Sequence, residues 1–164
     1  MAARRCILWP DPRLRQKLAP VSEITDDILA VWRDMVDTME DMPCIGLAAP
    51  QIGEMLRLAV VDASEERGKA ILMANPEILQ RSKAQFEFFE ASPNLPGLSA
   101  KLRRPKVISV RFLNADGVID RSDFEGLWST SVQHQIDHLN GKMYFDNLSK
   151  VRRDMLLRKA RKAK

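Results

Sequence analysis

Cysteine, long apolar stretches and internal repeats are scarce or absent in this sequence of 164 residues. Its two cysteines, Cys6 and Cys44, give no disulfide framework and favour a reducing compartment, so we expect a cytoplasmic protein. No apolar run approaches the ~18 residues of a membrane span, and residues 1–5 lack the apolar stretch of a secretory signal. We therefore expect no membrane partner. The length and the lack of repeats predict one domain over residues 1–164.

Charge is distributed unevenly along the chain. The net charge is +4, but residues 150–164 contain eight Lys or Arg and one Asp, which is a local charge of +7. The other 149 residues carry a net charge of −3, so the basic character belongs to the C-terminal segment. A segment of this kind is usually a solvated helix end and less often a nucleic-acid contact. We expect no DNA partner.

Three segments have the spacing of amphipathic helices. Apolar residues recur at helical intervals over 26–41, and Thr25 before them is a typical N-cap. A second helix is predicted over 123–140, with Gly141 as its C-cap. A third is predicted over 148–162, with its basic residues outside. The residues predicted to face inwards from this third helix are Val151, Met155 and Leu156.

The middle of the chain changes to the composition of β-strands. An extended, proline-punctuated segment over 7–20 comes first. Residues 114–117 (Asn-Ala-Asp-Gly) predict a turn that folds a strand back onto 118–121 as a hairpin. Runs of β-branched and aromatic residues predict the preceding strands over 56–62, 70–73, 85–89 and 106–113.

The only two histidines stand four residues apart in the run His134-Gln135-Ile136-Asp137-His138. This spacing is that of H-E-x-x-H, in which two histidines on one helical face bind a metal and the glutamate is the general base. Gln135 replaces that glutamate, and its amide takes up no proton at neutral pH. The alternative is one core histidine and one surface histidine without a metal. A metal site also needs a third ligand from elsewhere in the chain.

Two longer motifs carry a resemblance to a known family. They are Gly46-Leu47-Ala48-Ala49-Pro50-Gln51-Ile52-Gly53 and the run Gln133-His134-Gln135-Ile136-Asp137-His138-Leu139-Asn140-Gly141-Lys142. In sequence, order and separation they resemble the peptide deformylases, and the similarity runs from Pro10 through the basic C-terminal helix. The resemblance implies an α+β fold, with mixed or antiparallel sheets around a central helix that carries HxxxH, and a C-terminal helix. It also implies an enzyme that removes the formyl group from the N-terminal methionine of nascent bacterial or organellar proteins, with Fe(II) or Zn(II) as cofactor.

The family's site residues transfer by position. His134 and His138 take the two metal-ligand positions, and Gln51 takes the position of the glutamine that stabilises the oxyanion. Gly46 and Leu47 fall in the substrate-binding loop, where Cys44 replaces the first glycine. The family strand motif E-G-C-L-S-x-P-G aligns without a gap from Glu90 to Gly97. In that register Ser92 replaces the ligand cysteine, and Pro93 replaces the residue that supplies the oxyanion N–H. In the helix motif, Gln135 replaces the glutamate that is the base.

Each replacement weakens the same reaction. The Ser92 hydroxyl is a poor, neutral substitute for a thiolate ligand, so Fe(II) or Zn(II) is expected to be weakly bound or absent. Pro93 has no backbone N–H, and Gln135 is no base. The prediction is a deformylase fold without deformylase activity. One complication is Cys44, which lies near the pocket and can be considered as a substitute thiolate, although a small packing residue is the simpler interpretation.

Several functions remain open at this point. A non-catalytic homologue can bind nascent N-terminal peptides, or it can dock on the ribosome through residues 150–164, because the C-terminal helix of bacterial deformylases is associated with ribosome docking. A slow or altered amide hydrolase that uses His134, His138 and a water or Ser92 is the alternative. A hetero-oligomer with an active deformylase is a third possibility.

Overall fold

The computed structural model describes residues 3–162. Within that range the chain forms three α-helices, which are α1 (Asp26–Asp41), α2 (Leu127–Leu139) and α3 (Lys150–Lys162). It also forms seven strands: β1 (Gly46–Ala48), β2 (Leu58–Val61), β3 (Ile71–Arg81), β4 (Gln85–Glu90), β5 (Ala100–Pro105), β6 (Val107–Leu113) and β7 (Ile119–Glu125). No helix in the described range is long and apolar enough to cross a membrane.

The strands form two antiparallel sheets. Five of them pair in the order β1-β2-β3-β6-β7, and β4 pairs with β5 as a separate two-stranded sheet. The large sheet packs against α1 and α2, so α2 lies centrally between the two sheets and is almost wholly buried. The helices and antiparallel sheets confirm the predicted α+β class and the central position of the helix that carries the histidines.

The first predicted helix is confirmed at both ends. The helix α1 spans Asp26–Asp41, and the Thr25 side chain accepts a hydrogen bond from the Ile28 N–H, which satisfies one of the free donors of the first turn. The hairpin turn is also confirmed, because Gly117 has φ +75° and its N–H donates to the Asn114 carbonyl. The cap and the turn depend only on neighbouring residues, so they can be predicted from the sequence.

The second helix begins later than predicted. Residues 123–125 belong to β7, which pairs with β6 as far as Glu125, and Gly126 with φ +62° turns the chain into α2. Pairing with β6 outweighs the helical pattern at 123–126. The strand β3 is longer than the predicted 70–73, and two short strands at Gly46–Ala48 and Ala100–Pro105 were not predicted. These strands are defined by their pairing partners rather than by composition.

The third helix packs less tightly than predicted. Leu156 is buried as expected, but Val151 and Met155 are exposed by 69% and 54% of their surface. Ala160 is the second buried residue of α3. The helix rests on a satellite cluster around Tyr144 and Phe145 with a narrow strip of its surface, and the rest of it faces solvent.

Candidate active site

A cavity of about 260 Å³ opens between α2, the start of β1 and the end of β4. Gln51, His134 and Gln135 lie in its wall, together with Glu90. Most of the remaining wall is apolar and includes Pro43, Ile45, Phe88, Phe89, Pro93 and Leu127. Leu127, Ser131 and His134 follow one another along α2 at spacings of four and three, and all three line the cavity from one helical face.

The approach of β1 to α2 explains the glycine at position 46. A Cβ atom on Gly46 would lie 2.4 Å from Ser131 Oγ and 2.6 Å from Gln135 Nε2, so no larger residue fits without movement. Leu47 points to the other side of the strand, where it is fully buried in the core against α1. Gly46 therefore lies at the cavity, and the Leu47 side chain lies outside its wall.

The two histidines face each other across one helical turn. His134 Nε2 and His138 Nε2 are 3.2 Å apart, and both rings are buried. Two nitrogens bound to one tetrahedral zinc ion at about 2.0–2.1 Å stand about 3.3–3.4 Å apart, so the pair keeps the spacing of two metal ligands. Only His134 lines the cavity.

A buried ionic network supports His134 from behind. Its Nδ1 lies 2.9 Å from Glu90 Oε1, and Arg104 donates from Nε and Nη2 to the two Glu90 oxygens at 2.6 and 2.9 Å. Arg104 Nη1 also donates to Asp137 Oδ2 at 3.0 Å. Burial alone raises the pKa of Glu90, but the hydrogen bonds from His134 and Arg104 outweigh it, so the net shift of that pKa is downwards.

This network fixes the orientation of the first histidine. An ionised carboxylate only accepts hydrogen bonds, so the hydrogen between Glu90 and His134 resides on His134 Nδ1, and Nε2 is directed towards His138. Carboxylate partners of this kind orient metal-binding histidines in general. Sequence reasoning placed Glu90 in the family motif but missed Arg104 and Asp137. Asp137 lies inside the histidine motif, so the sequence draws attention to that position. Arg104 lies 33 residues before Asp137, and no motif marks it.

His138 is kept neutral by its surroundings. Complete burial, followed by the nearby charges of His134 and Arg104, holds the pKa of His138 well below its usual value. Its Nδ1 atom is buried without a hydrogen-bond partner in residues 3–162.

Ser92 is directed into the protein rather than into the cavity. Its hydroxyl donates to Asn94 Oδ1 at 2.9 Å and accepts from Gln51 Nε2 at 3.3 Å. Gln51 Nε2 also donates to Asn94 Oδ1 at 2.7 Å, and Gln51 Oε1 accepts from the Ala48 N–H at 2.8 Å. The Gln51 amide nitrogen therefore has two hydrogen-bond partners within this Ser92–Asn94–Gln51 network. Sequence reasoning missed Asn94, although the family frame puts a serine at that position.

The available donors do not fit the three-ligand metal site that the family implies. Within the described range, no group of three or more His, Cys, Asp or Glu side chains is placed to hold a metal ion. His134 and His138 have ligand spacing, but the hydroxyl at the third position is bonded to Asn94 and Gln51.

Cys44 does not supply a replacement thiolate. Its Sγ donates to the backbone carbonyls of Met39 and Gly46, and burial, the largest influence on it, raises the pKa of the thiol. A higher pKa disfavours the thiolate that a metal requires. The geometry therefore supports the simpler interpretation, a small residue packed at the rim of the cavity, rather than a substitute ligand.

Two polar atoms at the cavity have no partner in the described part of the protein. They are Gln135 Oε1 and Thr130 Oγ1, and both side chains are more than nine-tenths buried. An unpartnered buried acceptor costs free energy that a hydrogen-bond donor from outside can recover. Pro93, which also lines the cavity, has no N–H to offer. The cavity thus has an apolar wall, and the unpaired Gln135 Oε1 is buried beside it.

Comparison with known proteins gives a consistent result. The family model for polypeptide deformylase matches residues 3–154. A peptide deformylase from Afipia carboxidovorans is 41% identical, covering 99% of this chain and 96% of that protein. A peptide deformylase from Brucella suis is 40% identical, covering 99% and 94%.

Solved structures agree with the sequence matches. The crystal structure of a peptide deformylase from Legionella pneumophila superposes with a TM-score of 0.91 at 38% identity, covering 98% of this chain and 95% of that one. The structure of the Ehrlichia chaffeensis peptide deformylase in complex with actinonin superposes with a TM-score of 0.92 at 29% identity, covering 100% and 99%. The fold, the motif order and these matches together establish that this chain belongs to the polypeptide deformylase family.

Proposed function

We propose that this protein is a non-catalytic member of the deformylase family that binds the N-terminal segment of nascent polypeptides in the cytoplasm. The observation that carries the proposal is the Ser92–Asn94–Gln51 network. In it, the hydroxyl at the third ligand position and the amide nitrogen of the glutamine at the oxyanion position are hydrogen-bonded to Asn94 and to each other. A carbonyl in the cavity meets no N–H from Pro93, and it competes with Ser92 and Asn94 for the Gln51 amide.

The expected effect on rate is large. Loss of one oxyanion donor costs about 10²–10³ in rate, and loss of a positioned general base such as the one Gln135 replaces costs about 10²–10⁴. These factors need not multiply, because groups that act as one unit lose most of their value together. Either loss alone is expected to lower the activity far below that of an ordinary family member.

Binding is better preserved than catalysis. The cavity keeps its apolar wall, and Gly46 keeps the strand β1 close to α2. Gln135 Oε1 is a buried acceptor without a partner in the described residues, and rotation of this side chain towards the cavity would let the N–H of a peptide or a formamide pair with it. The charge of Glu90 is already compensated by Arg104, so a neutral N-terminal group suits this cavity better than a buried ammonium does.

Calorimetric titration with a formyl-Met tripeptide tests the proposal. We expect saturable binding with the peptide recovered intact. Replacement of Gln135 by Leu is expected to weaken binding about tenfold, because about 1.4 kcal/mol of hydrogen bonding to Oε1 is lost. The control is Gln85→Leu, which removes an exposed amide outside the cavity. Absence of saturable binding, or equal effects of the two variants, would overturn the proposal.

A slow or altered amide hydrolase is the second candidate. The spacing of the histidine nitrogens and the retained support from Glu90 favour it. When bound, a divalent ion would supply Lewis-acid chemistry, with only His134 and His138 as strong donors. About one equivalent of iron or zinc in the purified protein, together with turnover of a formyl peptide, is the result that this alternative predicts.

We further propose that α3 docks on the ribosome. None of its seven Lys and Arg side chains forms an ion pair with another described residue, and two apolar residues beside them are exposed. Among these cations, Lys150, Arg158 and Arg161 are exposed and suit the phosphates of ribosomal RNA.

Co-sedimentation with ribosomes tests the role of α3. Deletion of the helix is a poor test because Leu156 and Ala160 are buried, so charge reversal is preferred. We expect loss of co-sedimentation, and a reduced salt dependence, in the triple variant Lys150→Glu, Arg158→Glu, Arg161→Glu. The matched control reverses three exposed cations elsewhere, at Arg81, Lys83 and Arg121. Equal sedimentation of both triple variants would contradict docking through α3.

A further inference from the structure

A second depression lies beside the candidate active site. It is a groove of about 270 Å³ between the start of β5 and α3. The exposed ring of Phe89, with 61% of its surface accessible, lines both this groove and the cavity. A chain that leaves the cavity past Phe89 therefore enters the groove directly.

The groove combines positive charge with apolar surface. The residues Arg152, Met155, Leu156 and Lys159 contribute from α3 at spacings of three and four, so they form one helical face. Leu156 forms the buried floor, and Met155 is 54% exposed. On the opposite wall, Lys101 lies 5.7 Å from the centre of the Phe89 ring.

The positive charge of the groove is largely uncompensated. Arg152 and Lys159 form no ion pair with any residue between 3 and 162, and Arg152 Nη2 donates only to the Lys101 carbonyl, at 3.1 Å. Lys101 pairs with Glu87 at 3.0 Å, but both side chains are about half exposed, where such a pair contributes little.

We propose that this groove receives the downstream residues of the polypeptide whose N-terminus occupies the cavity, and that it selects segments with acidic and apolar residues. The inference rests on the proposed function. Phe89 lines both the cavity and the groove, so the segment that follows the bound N-terminus reaches the groove. Arg152 and Lys159 lie beside Met155 there, which favours a segment that carries both acidic and apolar residues. Acidic side chains find a cation at Arg152 and another at Lys159, and an apolar side chain covers Phe89 and Met155. A peptide satisfies both demands because one short segment can carry carboxylates and aliphatic side chains side by side.

Fluorescence anisotropy with three labelled peptides tests this selection. All begin with formyl-Met and an identical second residue, and the following six residues are acidic with one Leu, neutral, or basic. We expect the acidic peptide to bind at least about tenfold more tightly than the neutral one at low salt, with the difference shrinking as salt is added. The double variant Arg152→Glu, Lys159→Glu is expected to reverse this preference.

The controls separate the inference from the proposed function. Arg158→Glu changes an exposed cation of α3 that does not line the groove, and it is expected to keep the preference for the acidic peptide. Equal binding of all three peptides would overturn the inference and leave the proposed function intact, whereas no binding of any peptide would overturn both. A preference lost equally in Arg158→Glu indicates a diffuse field, and tighter binding of a short RNA that competes with the peptide indicates a nucleic-acid surface. Either result would overturn the inference.

Discussion

Replacing four residues together, Ser92→Cys, Pro93→Leu, Asn94→Ser and Gln135→Glu, is expected to raise turnover of a formyl-Met peptide by at least about 10³-fold over the natural chain. The change restores a thiolate at the third ligand position, an N–H at position 93 and a carboxylate at position 135. The fourth replacement follows from the structure, because Asn94 Oδ1 accepts hydrogen bonds from both Ser92 Oγ and Gln51 Nε2. The measurement is formate release from Fe(II)-loaded protein under anaerobic conditions.

The triple variant that keeps Asn94 is the matched comparison. In it Gln51 Nε2 remains bonded to Asn94, so we expect measurable turnover that is lower than in the quadruple variant. Asn94→Ser alone measures the structural cost of losing the Asn94 side-chain contacts with Ile7 and Gln51. A quadruple variant that folds, binds metal and still releases no formate would contradict the account, because residues other than these replacements would then have to prevent the reaction.

Replacing Arg104 by Leu is expected to lower the free energy of unfolding by about 3–5 kcal/mol, because it leaves the Glu90 carboxylate buried without its cation. Arg104 and Glu90 are exposed by only 8% and 3% of their side-chain surface, so solvent screens the pair weakly. Urea denaturation followed by circular dichroism measures the change.

A surface pair supplies the control for Arg104. Arg111 and Glu77 form a similar ion pair at 2.7 Å, but both side chains are more than half exposed. Arg111→Leu is therefore expected to change stability by about 1 kcal/mol or less. A loss of the same small size in Arg104→Leu would mean that the network behind His134 contributes little to the fold.

The parts of the fold that local chemistry determines were predictable from the sequence. The Thr25 side chain caps α1 by accepting a hydrogen bond from the first turn, and Gly117 takes the left-handed conformation of the hairpin turn. The start of α2 was not predictable in this way, because the pairing of β7 with β6 extends to Glu125 and outweighs the helical pattern. Burial of α3 was overestimated, since the periodicity of Val151 and Met155 does not reveal how little surface lies opposite them.

For the candidate site too, the sequence predicts the positions of the residues but not the directions of their side chains. The positions of His134, His138 and Gln135 follow from helical spacing, and the resemblance placed Ser92 and Pro93. The direction of each side chain depends on partners that are distant in sequence, such as Gln51 and Asn94 at a separation of 43 residues. Composition and spacing carry no information about that contact. The same holds for Arg104 on β5, which donates to Asp137 on the helix α2.

A single-turnover assay of the natural protein tests the central claim most directly. Fe(II)-loaded protein is mixed anaerobically, in excess, with a formyl-Met peptide, and formate is measured over time beside the quadruple variant. The account predicts that the natural chain releases no more formate than a metal-only control while still binding the peptide. Release of one formate per peptide by the natural chain, on the time scale of the quadruple variant, would contradict it.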